Sequence, residues 1–502
     1  MISLVLFFPL AIALILAFLP KYWVRPVALF ASILEFLFSL HFVYHFDKST
    51  SALQFVEQVA WIPQFGISYF VGIDGISIWL VILSTFILPI IILASWTSID
   101  DKIKTFHISL FVLLTAMLGS FVAMDAVLFY TFWELSLIPM YLIVGVWGGP
   151  RRIYASIKFF IYTMFGSVFM LLALISLMFM AEQQLGQMTS NLLSLYQLNI
   201  PYIEGAWGNP QALMFLAFAL AFAIKVPMFP VHTWLPDAHT EAPTPGSVIL
   251  AGVMLKMGTY GFLRFAIPLF PEAVNEFTWF FMFLGVVGII YGALVAMVQP
   301  DIKKLVAYSS VSHMGYVVIG MFALNAYGVT GSIYQMLNHG ISTGALFILV
   351  GMIYDRTHTR KIADYGGLAK AMPIFTIAFI IITMSSIAVP GTNGFIGEFL
   401  ILMGTFLSDK AMGVAAVVGV VLGAAYMLWM VKKVFFGEAG KVVKETKLED
   451  LNTRELGIVT ILIIMVFWMG IYPKFFLDYT QVSVDHLVEN ISSYSLEVKV
   501  GE

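Results

Sequence analysis

The sequence has no cysteine, and only 11% of its 502 residues carry a charge. Without thiols it cannot build a disulfide, a thiolate-ligated iron–sulfur cluster or a cysteine nucleophile. With so little charge, 60% hydrophobic residues and a mean hydropathy of +0.94, it cannot clothe a domain of this size in polar side chains. Motifs are missing as well. No glycine-rich phosphate loop follows a strand, no GxSxG appears, and the histidines lack metal-ligand spacing: His232 and His239 stand seven apart and the others are scattered. A net charge of −3 offers no footprint for nucleic acid. If this protein belongs to a redox enzyme, the electrons travel elsewhere.

What is present is long apolar sequence. A run of roughly 20 such residues crosses a bilayer, and the sequence predicts about fourteen spans: 2–20, 26–46, 74–98, 104–123, 125–147, 153–181, 211–230, 244–268, 277–298, 303–324, 328–354, 373–407, 411–436 and 456–473. The predicted class is an all-α polytopic membrane protein. The first run lacks a basic flank and a small-residue cleavage site, so it reads as a retained helix. Taking alternate loops, one side gathers Lys21, Arg25, Lys102, Lys104, Arg151, Arg152, Lys303, Lys304, Arg356, Arg360, Lys361, Lys370 and the bases from 432 to 454, while the other holds only Lys48, Arg264, Lys410, Lys474 and Lys499. That asymmetry predicts an even number of spans with both termini on the outer face. Basic residues at the inner boundary suit anionic lipid. Of the connections, 47–73 predicts an outer hairpin, 182–210 an interfacial amphipathic helix through NLLSLYQL, and 475–495 a short docking helix at the interface.

Four charges fall inside the apolar runs: Glu134, Lys225, Lys256 and Glu398. Charge at bilayer depth costs several kcal/mol by insertion scales and faces a bundle interior, as an ion pathway or a stabilising pair. Two runs are also interrupted. Pro227 and Pro230 follow Lys225, and Pro390, Gly391 and Gly394 precede Glu398. Proline removes a donor and clashes one turn back, and unwound backbone survives at depth only inside protein or beside a wet cavity. Paired broken helices are a transporter signature of inverted repeats. Lys225 and Glu398 each stand 121 residues beyond the start of a predicted span, at 104 and 277.

The segments FYTFWELSLIPMYLIVGVWGGPRRIYASIKFFIYTMFGS, AFAIKVPMFPVHTWLPDAHTEAPTPGSVILAGVMLKMGTYGFLRF, DIKKLVAYSSVSHMGYV, QMLNHGISTGALFILVG and GTNGFIGEF resemble the antiporter-like membrane subunits of respiratory complex I, and within them the subunit M, or chain 4, branch. The resemblance runs from about residue 65 to 475, and VHTWLPDAHTEAPTP is highly specific. These subunits are similar to the D subunits of multisubunit Mrp-type sodium/proton antiporters. The resemblance implies helices 1–3 over 1–103, two inverted five-helix repeats over 104–270 and 276–437 with helices 7 and 12 broken, and a last helix with an interfacial segment over 438–502.

Position by position, the resemblance implies that Lys225 is the central proton-carrying lysine, Glu134 the glutamate that tunes it, Lys256 the connecting residue and Glu398 the terminal group. Subunits L and N usually carry lysine there, so Glu398 favours M. His313 and His339 are implied relay members, and His232 and His239 candidates for proton uptake. Burial weakens a lysine's hold on its proton and a nearby carboxylate strengthens it, so a loosening Glu134–Lys225 pair would release the proton toward Lys256. The chain itself implies no cofactor. NADH, FMN, iron–sulfur clusters and quinone would sit on partner subunits, with L-like and N-like neighbours leading to the hydrophilic redox arm. A stand-alone Na+/H+ antiporter subunit, or the equivalent part of a ferredoxin-fed photosynthetic complex, would use the same charges.

Each residue also has a plainer reading. Lys225 and Lys256 suit static ion pairs, and Glu398 could cap amides at a helix break. His313 and His339 suit neutral packing. Glu35, with His41 and His45, lies outside the repeats and reads as hydrogen-bonded structure or a lipid-facing misfit, and Lys158 as snorkelling beside Arg151 and Arg152.

Overall fold

The computed structural model describes residues 1–203 and 208–500, the side chains of 492–500 excepted. Helix dominates, because in hydrocarbon a helix satisfies its own backbone N–H and C=O groups. Among the described residues ten helices are long and apolar enough to cross a membrane. Five shorter apolar helices accompany them: Ile2–Phe18, Ile78–Ala94, Pro210–Lys225, Pro373–Ser386 and Asn393–Ser408. Most predicted boundaries fall within a few residues of the observed ones, as at Ile103–Val122, Ile302–Phe322 and Lys410–Phe435.

Helices that carry polar groups lie innermost. Thr244–Leu269 and the central turns of Ala326–Thr357 are buried, and Ile302–Phe322 nearly so, while Tyr327 and Tyr354 at the two ends of Ala326–Thr357 are exposed. Lys21–His45, Lys410–Phe435 and Thr453–Ile471 form the periphery and expose apolar side chains such as Phe30, Val421 and Ile464, as lipid contact demands.

The predicted hairpin is present. Strand β1, Gln54–Ile62, pairs antiparallel with β2, Ile67–Ile73. Gly66 turns between them at φ +63°, where a Cβ would strike the Met188 carbonyl. Beside the hairpin, the buried Asp125 carboxylate accepts hydrogen bonds from the amides of Val127, Leu128 and Ser68 and from Ser190 Oγ. It thereby caps the Ala126–Leu135 helix and ties it to β2. A second aspartate repeats the device: Asp301 caps Ile302–Phe322 through the amides of Lys303 and Lys304. Each cap also pairs with a distant segment by an isolated antiparallel bridge, Asp125 with Asn191 and Asp301 with Lys361.

Two connections differ from expectation. The predicted amphipathic helix within 182–210 is a single turn, Leu192–Leu195, because backbone there pairs across the fold instead: Leu192 N donates to Met124 O at 3.0 Å and Ala126 N to Ser190 O at 2.8 Å. Residues 204–207 of that connection lie outside the described residues. The docking segment predicted at 475–495 is longer, a helix over Lys474–Val500. It lies across the hairpin side, where Trp79 Nε1 donates to Phe476 O at 2.9 Å, Gly75 N to Ser483 Oγ at 3.0 Å and Tyr479 OH to Val43 O at 3.0 Å.

Candidate functional site

The break after Lys225 follows from its prolines. Pro227 has no N–H, so Met228 N takes the Ala223 carbonyl at 2.8 Å instead and the helix ends at Lys225. The orphaned Ile224 carbonyl accepts from Trp234 Nε1 at 2.8 Å, which fastens the next helix, Trp234–Glu241, under the break. Lys225 is thereby held at a helix terminus inside the protein with 1% of its surface exposed.

Its ammonium does not close an ion pair with Glu134. Nζ donates to Ser136 Oγ at 3.2 Å and lies 4.9 Å from the Trp133 ring centre, a cation–π contact. Ser136 is itself a break point, between Ala126–Leu135 and Leu137–Trp147, because Pro139 cannot donate to the Leu135 carbonyl. Glu134 stands beside Ser167 and Tyr130, and its Oε1 is buried with no hydrogen-bond partner. The two charges expected to pair are therefore near neighbours with a hydroxyl holding the amine.

Lys256 sits on a distorted helix. Within Thr244–Leu269, residues Leu250–Met254 and Phe262–Ala266 adopt π turns, which leave carbonyls without their usual i+4 amides. The Ala251 carbonyl accepts from Lys256 Nζ. The same ammonium nitrogen lies 2.7 Å from His339 Nδ1, which is also 3.3 Å from Ala251 O. A charged lysine donates to both acceptors. A neutral amine can instead accept from an Nδ1–H, so one proton can pass between the two nitrogens with little motion.

From His339 the polar groups continue. Its ring centre lies 6.1 Å from that of His313, and His313 Nδ1 lies 3.0 Å from Glu398 Oε1. Gln335 Nε2 donates to the same oxygen at 3.1 Å, with Asn338 Nδ2 on Gln335 Oε1 at 3.0 Å. Thus Lys256, His339, His313 and Glu398 form one buried series, joined across four helices. A small polar cavity lined by His313, Asn338, His339, Ser342 and Ser386 fills the interval between the two imidazoles.

The second break lies directly under this series. Pro373–Ser386 stops and Asn393–Ser408 begins, with Ala388 at φ +57° and Gly391 at φ +92° between them. Gly394 is required, since a Cβ there would run into the Ser385 carbonyl. Ser385 Oγ bonds to Ser342 Oγ and to Asn393 Oδ1, each at 2.5 Å. Across the break the backbone re-pairs locally, Ala388 N with Ser385 O at 3.2 Å and Val389 N with Met384 O at 3.1 Å, while the hydroxyls tie the two half-helices to Ser342.

His232 and His239, expected near a polar mouth, are both buried. His232 packs on Phe229 and Tyr291, and His239 stacks on Phe347 with both ring nitrogens unpartnered. Lys158 does not snorkel free; it pairs with Asp237 at 2.8 Å. Glu35 is neither lipid-facing nor hydrogen-bonded: it is wholly buried and both carboxyl oxygens lack partners. Sequence reasoning missed Ser136 and the buried Arg264–Asp74 pair, at 2.5 Å. It also counted Lys303 as a loop base, although that residue is 6% exposed. Only the DIKK position next to a predicted span hinted at the last. No group of three or more metal-ligating side chains gathers anywhere among the described residues.

Two broken apolar helices, each with an ionisable side chain at or just beyond its break and further amines and imidazoles buried between them, define an antiporter-like class of membrane transport subunit. The family described as NADH:quinone oxidoreductase/Mrp antiporter, transmembrane, matches residues 123–423, and NADH-ubiquinone oxidoreductase chain 4, amino terminus, matches 1–125. The chain is 47% identical over 504 aligned residues to NADH-quinone oxidoreductase subunit M of Rhodobacter capsulatus, covering 98% of this chain and 96% of that one. A chain of respiratory complex I from Thermus thermophilus superposes with a TM-score of 0.88 at 30% identity, over 98% of this chain and all of the other. The Mrp complex from Dietzia sp. DQ12-45-1b shares the fold, with a TM-score of 0.81 at 20% identity over 99% of this chain and 56% of that one. The chain belongs to the NADH:quinone oxidoreductase/Mrp antiporter family, in the branch of chain 4.

Proposed function

We propose that this chain is the M-type membrane subunit of a proton-translocating NADH–quinone oxidoreductase. The observation that carries this is the buried series Lys256, His339, His313 and Glu398, interrupted only by the small cavity between the two imidazoles, in a chain that matches subunit M over nearly its whole length. The likeness to the Mrp complex rests on the fold alone, whereas 47% identity to a subunit M favours the oxidoreductase over a stand-alone antiporter. NADH oxidation and quinone reduction belong to partner subunits, with L-like and N-like chains as neighbours and the hydrophilic arm beyond them.

In this reading fourteen spans carry two inverted repeats, 104–270 and 276–437, with both termini on one side. The paired aspartate caps, each with its antiparallel bridge, and the two breaks beside Lys225 and Glu398 support that division. Lys225 and Glu134 load the first unit, and Lys256 passes protons through His339 and His313 to Glu398 at the second break. The relay needs each group to hold and to release a proton in turn, which two nitrogens 2.7 Å apart permit.

The test is redox-driven acidification by the assembled complex in vesicles. Lys225→Ala removes it if the relay reading is right. A fully assembled complex that pumps undiminished after that change would sink it.

A further inference from the structure

Neither His41 nor His45 enters the relay, and both lie at the hairpin-side end of the Lys21–His45 helix. No trio of histidines has metal-ligand spacing in the sequence, yet these two, four residues apart, fall on one helix face, one turn above the other. Their ring centres stand 4.3 Å apart. His41 is half-buried and His45 exposed, and among the described residues the ring nitrogens of both are without hydrogen-bond partners. At 25 residues the helix is about 37 Å long, which exceeds about 30 Å of hydrocarbon. Its last turns therefore reach the headgroups and water.

The surroundings hold the pair in place. Phe55 packs on His41 at 6.0 Å and on Phe42 at 5.0 Å, and the Tyr44 ring stands 4.8 Å from His45. Phe55 itself has φ +55°, in the left-handed region, at the point where strand β1 slips register between Gln54 and Glu57. A non-glycine residue keeps such a backbone only where its surroundings impose it, and strain of this kind gathers at ligand sites and switches. Here it keeps an aromatic wall against the His41 ring. The Met1 ammonium acts on His41 from nearby, but Glu57 neutralises it at 2.6 Å.

We propose that His41 and His45 form a two-histidine site for a divalent transition-metal ion, copper(II) or zinc(II), with water completing the coordination. Two imidazoles one helical turn apart can turn a neutral nitrogen each onto a single ion, as two histidines at this spacing do on zinc-binding helices. Imidazole favours these metals over magnesium and calcium, and copper(II) is bound more tightly than zinc(II). A bound ion clips the final turn of the helix to the turn before it, and so fixes the surface on which Phe55 and the hairpin rest.

The probe is copper(II) added to the assembled complex and cleared from free solution by gel filtration, with bound metal counted and the electron paramagnetic resonance spectrum recorded. The unaltered complex is expected to retain one more copper(II) ion than His41→Gln or His45→Gln, and the difference spectrum to show the splitting of two nitrogen ligands. Displacement of that signal by equimolar zinc(II) assigns the site to zinc, and its persistence assigns it to copper. Equal copper(II) in all three complexes overturns the proposal, as does a spectrum with a single nitrogen. A difference seen only with copper(II) in large excess marks an adventitious ion only and overturns it too. Redox-driven acidification without added metal should be unchanged in both variants, so failure of the metal site leaves the relay standing. If His45→Gln alone fails to assemble, His41→Gln decides. Failure of both to assemble identifies the pair as structural and overturns the site.

Discussion

Lys256 Nζ and His339 Nδ1 lie 2.7 Å apart, on two different helices and beneath a carbonyl that a π turn has released. The contact joins the proposed relay to architecture, since the lysine nitrogen beside the imidazole also donates to Ala251 O. Removing the amine therefore has two consequences. Lys256→Ala is expected to abolish redox-driven acidification and to destabilise the subunit by about 1–3 kcal/mol through the unsatisfied buried carbonyl. His339→Gln is expected to lose pumping with a smaller loss of thermal stability. Melting of the purified complex, measured beside vesicle acidification, separates the two effects.

Lys225 is held by Ser136 and the face of Trp133 rather than by a closed ion pair with Glu134. Lys225→Ala and Glu134→Ala are expected to abolish pumping, whereas Glu134→Asp retains part of it because the carboxylate survives on a shorter arm. Ser136→Ala, which removes the hydroxyl acceptor, should lower the pumping rate without the full loss. Initial acidification rates at equal amounts of assembled complex test the ranking.

The Asp74–Arg264 pair links the end of β2 to the hairpin-side end of Thr244–Leu269, and Tyr260 OH accepts from Arg264 Nε at 3.1 Å. Breaking a buried pair leaves an uncompensated charge and costs about 3–5 kcal/mol. Asp74→Ala should therefore lower the melting temperature of the complex sharply. The double change Asp74→Ala with Arg264→Met should recover much of the loss. A double variant no more stable than the single would contradict this account.

Gly258 lies where the Lys256 helix meets the broken Pro210–Lys225 helix. A Cβ there would stand 2.8 Å from both Phe222 O and Val226 Cγ2 and 3.0 Å from Val226 N. Two of those atoms are backbone and cannot swing aside. Gly258→Val is expected to destabilise by about 1–3 kcal/mol and to slow pumping by separating the two lysine-bearing helices, with Gly258→Ala milder in both. Thermal melting and acidification of the two variants measure the gradient.

The broken helices were legible because proline has no amide hydrogen and the defect can be read wherever it occurs. Lys225, Lys256 and Glu398 stood out because charge in an apolar run is rare. Glu35 shows the reverse. Its run predicted a lipid-facing or hydrogen-bonded group, and the fold buries it with neither lipid nor partner. The single-turn helix at Leu192–Leu195 was misread because its amphipathic pattern is local, while the bonds that replaced the helix run to Met124 and Asp125.

By itself the sequence determined the solvent, the helical class, the two breaks and the residue types at them, because hydropathy and missing amides act over one or two turns of chain. Only the tertiary structure decided which nitrogen meets which oxygen. That Lys225 rests on Ser136, that Lys256 meets His339 over a freed carbonyl, and that Lys303 is buried beside the His239 helix depend on π turns and interhelical register, and these are set by packing between helices far apart in sequence.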